Sequence, residues 1–203
     1  MAIKRNTPLP AFPQAEYMLV LSPDAHLQER IGRARQVLSE KIGTRPSARK
    51  AHVLLARWQA WDMMEERLLQ RLHVLSMEQY PFQVQMEGFG GFPSHTVYIQ
   101  VPTREPILRL VAGIRKNKRL MRSADGADPY FISEPHLPLA RGLNPGQYEQ
   151  AMQTLGHRPF KASFVADAML LLKRRAGSPA YQIVARFAFE HLAVTARQAS
   201  LFI

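Results

Sequence analysis

The 203-residue chain contains no cysteine, which excludes disulfides, thiolate metal sites and a cysteine nucleophile. It also lacks any apolar run approaching the roughly 20 residues that a membrane-spanning helix needs. Residues 1–15 include Lys4 and Arg5, but three prolines interrupt any apolar stretch that could form a signal peptide. We therefore expect no membrane partner and a cytoplasmic location.

Acidic residues are scarce as well, because 16 Asp and Glu face 27 Lys and Arg and leave a formal net charge of +11. Such an excess favours phosphate-rich partners, since binding them releases counterions, but charge alone does not identify the partner. The remaining composition is that of a globular protein, with 46% hydrophobic residues. The length fits one domain, which we place at residues 16–203 after an irregular lead-in at residues 1–15.

Helical and strand periods alternate along the chain. Short apolar or alternating segments predict strands at residues 17–21, 52–58, 82–86, 96–101, 136–140, 164–172 and 181–189. Residues 88–93 contain three glycines and predict a turn. The first helix is predicted to end at Gly43, and its buried stripe uses Leu27, Ile31, Ala34, Leu38 and Ile42. This order predicts an α+β fold with mainly antiparallel sheets.

One six-residue segment occurs twice. The sequence HVLLAR at residues 52–57 is echoed by HLPLAR at residues 136–141, 84 positions later. The two segments are predicted strands at comparable places in the two halves, which indicates an approximate internal duplication. Two such strands can bring His52 and His136 together. A pair of imidazoles can act as an acid/base couple near neutral pH, so these histidines are candidate catalytic residues.

These two segments resemble the motifs of the two-histidine phosphoesterase superfamily, which includes bacterial 2′-5′ RNA ligases and RNA 2′,3′-cyclic phosphodiesterases. That family carries two His-x-Thr/Ser motifs on strands, about 80 to 90 residues apart. Residues 134–141 are similar to its second motif, and the resemblance extends in order over about residues 16 to 190. It implies a bilobal, pseudo-symmetric α+β fold of two mainly antiparallel sheets, with flanking helices and a central cleft.

The resemblance also implies a chemistry. One neutral histidine would take a proton from water or a ribose hydroxyl, and the other would protonate the leaving ribose oxygen of a 2′,3′-cyclic phosphate. The partners would be RNA ends or small phosphorylated nucleotides, with no cofactor. No metal is expected, because the seven histidines lack compact metal-ligand spacing. We expect a monomer, and the sequence does not assign the acid and the base.

The chain departs from the family pattern at one position in each motif. Leu54 and Pro138 stand where the family has Thr or Ser, two residues after each histidine. Residues i and i+2 of a strand share a face, so the family hydroxyl lies beside its histidine. Leu54 offers no side-chain donor, and Pro138 also lacks a backbone N–H. Weakened catalysis and a catalytically inactive RNA- or nucleotide-binding module therefore both remain open, with a purely structural interaction protein as a third possibility.

Other side chains are candidates to hold phosphate in place of the missing hydroxyls, namely Arg57, Arg141, Lys50 and Tyr98. Each of the two arginines lies five residues after its histidine. A perfectly regular strand would point each arginine away from its histidine. A β-bulge or a strand end at either arginine would relax that objection.

Overall fold

The structure, a computed structural model, describes residues 13–93, 95–122, 127–156 and 158–191. Residues 1–12 of the predicted lead-in lie outside these ranges. The helices are α1 (Ala25–Ile42), α2 (Glu65–Met77), α3 (Glu105–Arg115) and α4 (Pro145–Leu155). The strands are β1 (Gln14–Leu21), β2 (Val53–Trp61), β3 (Phe82–Glu87), β4 (Phe89–Phe92), β5 (Thr96–Gln100), β6 (Tyr130–Phe131), β7 (His136–Arg141), β8 (Lys161–Ala166), β9 (Ala168–Arg175) and β10 (Gln182–Ala188).

The strands form antiparallel sheets, and the predicted α+β class is confirmed. One sheet has five strands in the order β10-β9-β1-β2-β6. The other strands form a two-stranded sheet, β3-β8, and a three-stranded sheet, β4-β5-β7, where a single second sheet was predicted. The two histidine strands therefore belong to different sheets, and β2 packs directly against β7. Among the described residues, no helix is both long and apolar enough to cross a membrane.

Helix α1 packs against α4 and β7. Gly43 ends the helix as predicted, because its φ of 63° lies in the left-handed region that favours glycine. The buried stripe differs from the prediction, because Arg35 and Ser39 are buried, whereas Ala34 is half-buried. A cation therefore occupies the core-facing position one turn after Ile31.

The predicted turn at residues 88–93 is wrong, because residues 89–92 form strand β4. The glycines within this strand make room for rings of neighbouring elements. A Cβ on Gly90 would lie 2.8 Å from the ring of Tyr98, and one on Gly91 would lie 2.4 Å from the hydroxyl of Tyr148. Glycine at these positions therefore permits close ring packing and does not mark a chain reversal.

The predicted single strand at residues 164–172 is also wrong. It is divided at Asp167, so that β8 pairs with β3 and β9 pairs with β1. The Asp167 carboxylate binds Arg186, and its carbonyl accepts a hydrogen bond from Phe189. A charged, solvent-facing residue with these partners interrupts the apolar run and lets the chain pass from one sheet to another.

Replacing Gly90 with alanine should destabilise the protein by about 1–3 kcal/mol, since the added Cβ forces the packed Tyr98 ring to move. Gly32→Ala is the matched control, because that helical glycine faces open space and alanine should stabilise it by about 0.5–1 kcal/mol. Urea unfolding of both variants measures the difference. Equal stability of the two variants would contradict the described packing of Tyr98.

Candidate active site

Strand β2 contains a β-bulge directly after the first histidine motif. Its register against β1 shifts between Leu54 and Ala56, which leaves Leu55 as the extra residue. In an unbroken strand, Arg57 would face away from His52. The bulge reverses the alternation, so Arg57 returns to the face that Leu54 shares with His52.

Strand β7 contains a bulge at the equivalent position. Its register against β5 shifts between Pro138 and Ala140, and Leu139 is the extra residue. Arg141 therefore returns to the face of His136. Each motif consequently presents a histidine and an arginine on one face, with the extra leucine three residues after the histidine in both strands.

The two imidazoles are held in the same way. Nδ1 of His52 lies 3.0 Å from the carbonyl oxygen of Lys50, and Nδ1 of His136 lies 2.7 Å from that of Glu134. Because a carbonyl oxygen only accepts, each Nδ1 carries a hydrogen and donates it. The neutral form of each ring is thereby held in the tautomer whose Nε2 is available as a proton acceptor.

The surroundings lower the pKa of both histidines. Burial lowers the pKa of His52 to about 4, helped by the charges of Arg141, Arg35 and Arg49 and opposed by the hydrogen bond to the Lys50 carbonyl. Burial also lowers the pKa of His136, and the charge of Arg141 acts in the same direction. The hydrogen bond to Glu134 and its carboxylate oppose that decrease. Arg141 is therefore close enough to influence both rings.

A basic cavity of about 350 Å³ opens beside His52. Glu16 is the one acidic residue that lines it within the described chain, and Pro138 forms part of its wall. Its lining includes seven Lys and Arg side chains, namely Arg35, Arg45, Arg49, Lys50, Arg57, Arg141 and Arg174. Three of the four predicted phosphate-binding residues thus surround one space.

The other two predicted site residues, His136 and Tyr98, do not line this cavity. His136 is 9% exposed and does not line the cavity wall. The Tyr98 ring lies 5.0 Å from the His136 ring. The Phe92 ring also lies 5.0 Å from the His136 ring and meets it edge-on. Tyr98 therefore covers a histidine instead of facing the basic cavity.

Arg35 is the important residue that the sequence interpretation missed. It is 8% exposed, and it donates to the carbonyl of Arg49 at 2.5 Å and to that of Pro138 at 2.8 Å. It thereby connects the loop before His52 to the second motif strand. The sequence signal for the burial of Arg35 was its position in the helix, one turn after Ile31 and three residues before Leu38, both of which are buried.

The single acid of the cavity is already engaged. The Glu16 carboxylate accepts hydrogen bonds from Arg174 and from the Tyr181 hydroxyl. The Tyr181 ring also contacts two cations, with Arg49 5.5 Å and Arg174 5.0 Å from its centroid. Glu16 therefore neutralises Arg174 and orders the ring on which Arg49 lies.

A second cavity, of about 410 Å³, adjoins the first. The two share Arg49, Lys50 and His52. The wall of the second cavity is largely apolar and includes Val20, Leu170, Leu172, Pro179 and Ile183. A basic space and an apolar space therefore meet at one histidine. Within the described residues, no group of three His, Asp or Glu side chains is placed to hold a metal ion.

The fold is shared with solved phosphoesterase-type structures. TT0787 of Thermus thermophilus has a TM-score of 0.65 at 18% identity, with 86% of this chain and 98% of that chain covered. E. coli LigT complexed with NADP+ has a TM-score of 0.63 at 20% identity, covering 88% of this chain and 99% of that chain. LigT complexed with 3′-AMP has a TM-score of 0.64 at 19% identity, covering 87% and 98%. At such identities the likeness shows the fold alone.

The amino-acid sequence identifies the family to which the chain belongs. No curated protein matches the chain at a significant level. The family model of the 2′-5′ RNA ligase superfamily, however, matches residues 23–178, well over half of the chain. The chain therefore belongs to the 2′-5′ RNA ligase superfamily, as the resemblance of its two histidine motifs predicted.

Replacing Arg141 with glutamine should raise the pKa of both His52 and His136, because its charge lowers the pKa of each ring. The measurement is a titration of the histidine ring protons by NMR. Arg109→Gln, in an exposed ion pair on α3, is the control and should move neither pKa. A response of only one of the two rings to Arg141→Gln would contradict a site that contains both.

Proposed function

We propose that the chain is a phosphoesterase that opens 2′,3′-cyclic phosphates at RNA ends or on small nucleotides, with His52 and His136 as its acid/base pair. The observation that carries this proposal is the matched geometry of the two motifs. Each histidine is tethered through Nδ1 to a carbonyl two residues earlier, and each has an arginine returned to its face by a bulge. The same pair would also serve ligation, in which a ribose hydroxyl replaces water as the group that attacks the phosphorus and opens the ring.

We assign His52 as the general base. Its lowered pKa keeps it neutral at neutral pH, and three nearby arginines disfavour its protonation. Its Nε2 would accept a proton from water as the water oxygen bonds to phosphorus. The basic cavity that it lines is the space in which the phosphate would lie.

We assign His136 as the general acid. Burial lowers its pKa, but the nearby Glu134 carboxylate favours its protonated form, and a bound phosphate would act in the same direction as Glu134. Protonated His136 would donate from Nε2 to the ribose oxygen as the bond from that oxygen to phosphorus breaks. The product is an open-ring phosphomonoester, and a proton exchange with solvent restores both histidines.

Arginines would replace the hydroxyls that the motifs lack. Leu54 and Pro138 cannot donate from their side chains, but Arg57 and Arg141 lie on the same faces of their strands. A guanidinium donates two parallel hydrogen bonds to phosphate oxygens and carries its charge at every accessible pH. Lys50, at the mouth shared by both cavities, would add a further positive charge.

The apolar cavity supports a nucleotide over a bare phosphate ester. A nucleobase is a flat, mostly apolar ring joined to phosphate through ribose, and the two cavities meet at His52 in the corresponding order. The relatives named above point the same way, since LigT is complexed with 3′-AMP and with NADP+. The base would lie against Leu170 and Leu172.

A catalytically inactive nucleotide-binding module is the second candidate, and one observation favours it. His136 is 9% exposed and lies under Phe92 and Tyr98, so a substrate reaches it only if these rings move. Such a module would bind the same nucleotides through Arg57, Arg141 and the apolar cavity without opening the ring.

Turnover distinguishes the two candidates. With an oligonucleotide ending in a 2′,3′-cyclic phosphate, we expect ring opening, and His52→Ala and His136→Ala should each reduce it by roughly 10²–10⁴-fold. His26→Ala, at an exposed position of α1, is the control and should retain full activity. Product formation is followed by chromatography. Binding of the oligonucleotide without ring opening by the unaltered protein would favour the inactive module.

The pH dependence of kcat/KM tests the assignment of base and acid. The value of kcat/KM should rise through pH about 4 as His52 loses its proton. It should fall on the alkaline side as His136 loses its proton, at a pH below the ordinary histidine pKa of 6.5. The expected profile is a bell with an acidic optimum. Arg49→Gln removes a charge that lowers the pKa of His52, so it should move the acidic limb to higher pH. An acidic limb unmoved by Arg49→Gln would refute the assignment of His52 as base.

A further inference from the structure

The basic cavity carries more positive charge than one phosphate can use. A cyclic phosphate diester has a single negative charge, whereas seven Lys and Arg side chains line the cavity. Glu16 is the one carboxylate on the wall within the described residues, and it is already bound to Arg174. The surplus indicates a ligand with more than one anionic group.

Part of this surplus lies on walls of the basic cavity that the apolar space does not share. Arg35, Arg45, Thr44 and Ser47 line the basic cavity and have no part in the apolar one. These residues belong to helix α1 and the loop that follows it. A ligand that reached them would extend beyond the phosphate beside His52.

Arg35 gives these walls an uncompensated buried charge. The residue is 8% exposed, its two identified acceptors are neutral carbonyls, and its Nε has no hydrogen-bond partner within the described residues. Burial and the neighbouring charge of Arg141 both lower its pKa. Two cations held together in a partly buried wall are destabilising until an anion lies beside them.

The neighbouring groups are suitable donors to an anion. The Ser47 hydroxyl oxygen accepts from the backbone N–H of Arg49, which leaves its own hydrogen free to donate. The carbonyls at the C-terminus of α1 would repel an anion, but two of them already accept hydrogen bonds. The Ser39 carbonyl accepts from the N–H of Thr44, and the Ile42 carbonyl accepts from the Gln147 amide.

We propose that Arg35, Arg45, Thr44 and Ser47 form a subsite for a second phosphate of the same substrate. The inference rests on the proposed function, since it takes the phosphate beside His52 as the reacting one. It narrows the substrate to a nucleotide with two phosphate groups. The second group is either the 5′-phosphate of a mononucleotide or the diester that links the preceding nucleotide of an RNA strand.

Binding tests the subsite without requiring turnover. By calorimetry, adenosine 3′,5′-bisphosphate should bind the protein about tenfold or more tightly than 3′-AMP, because charge-assisted hydrogen bonds to phosphate are strong. Arg45→Gln should remove most of that difference while leaving the affinity for 3′-AMP nearly unchanged. Arg33→Gln, an exposed arginine on α1 outside the cavity lining, is the control and should preserve the difference.

The outcomes separate the subsite from the proposed reaction. Equal affinities for the two ligands, no binding of either, or an Arg45→Gln variant that still prefers the bisphosphate would each overturn the subsite, whatever the protein catalyses. Ring opening that fails for every cyclic phosphate, with the bisphosphate preference intact, would overturn the reaction alone. Comparing 5′-phosphorylated adenosine 2′,3′-cyclic phosphate with a dinucleotide ending in the same ring then identifies which second phosphate is used, since the preferred source should bind more tightly and lose that advantage in Arg45→Gln.

Discussion

The site depends on one extra residue in each of two strands. Leu55 and Leu139 break the register of β2 and β7 three residues after the histidines, and each break brings an arginine to the histidine face. Without these bulges, Arg57 and Arg141 would face the opposite side of their strands. The presence of Arg57 and Arg141 in the wall of the basic cavity, and their proposed replacement of the missing hydroxyls, follow from this change of direction.

Arg141, one of the two arginines proposed to bind the phosphate, lowers the pKa of both histidines. In the free protein its charge helps to keep His52 neutral, which would suit a base, but it disfavours protonation of His136, where only Glu134 provides opposing charge. A phosphate that enters the cavity cancels part of that field. On the proposed assignment, His136 would therefore be protonated most readily when the anion is present, so that phosphate binding and protonation of the acid would be linked.

The sequence revealed the duplicated motifs, most of the strands and the end of the first helix, because these depend on local periodicity and on a left-handed glycine. The sequence could suggest a bulge but could not reveal one, since nothing distinguishes a leucine in a bulge from a leucine in a regular strand. The period of α1 places Arg35 on the buried stripe, but the sequence could not reveal the acceptors that make its burial possible. That burial depends on carbonyls of Arg49 and Pro138, which are 14 and 103 residues away in sequence. Long-range partners of this kind determine a tertiary environment that periodicity does not encode.

The bulged leucines are themselves buried, with Leu55 0% and Leu139 3% exposed. Straightening either strand would transfer an apolar side chain out of the hydrophobic interior, so the irregular backbone is fixed by the same force that folds the domain. The direction of each arginine is therefore established during folding and does not await the ligand. Anion binding then costs little conformational entropy, because the backbone is already ordered. Movement of the two strands that carry the arginines would require partial unfolding of the core.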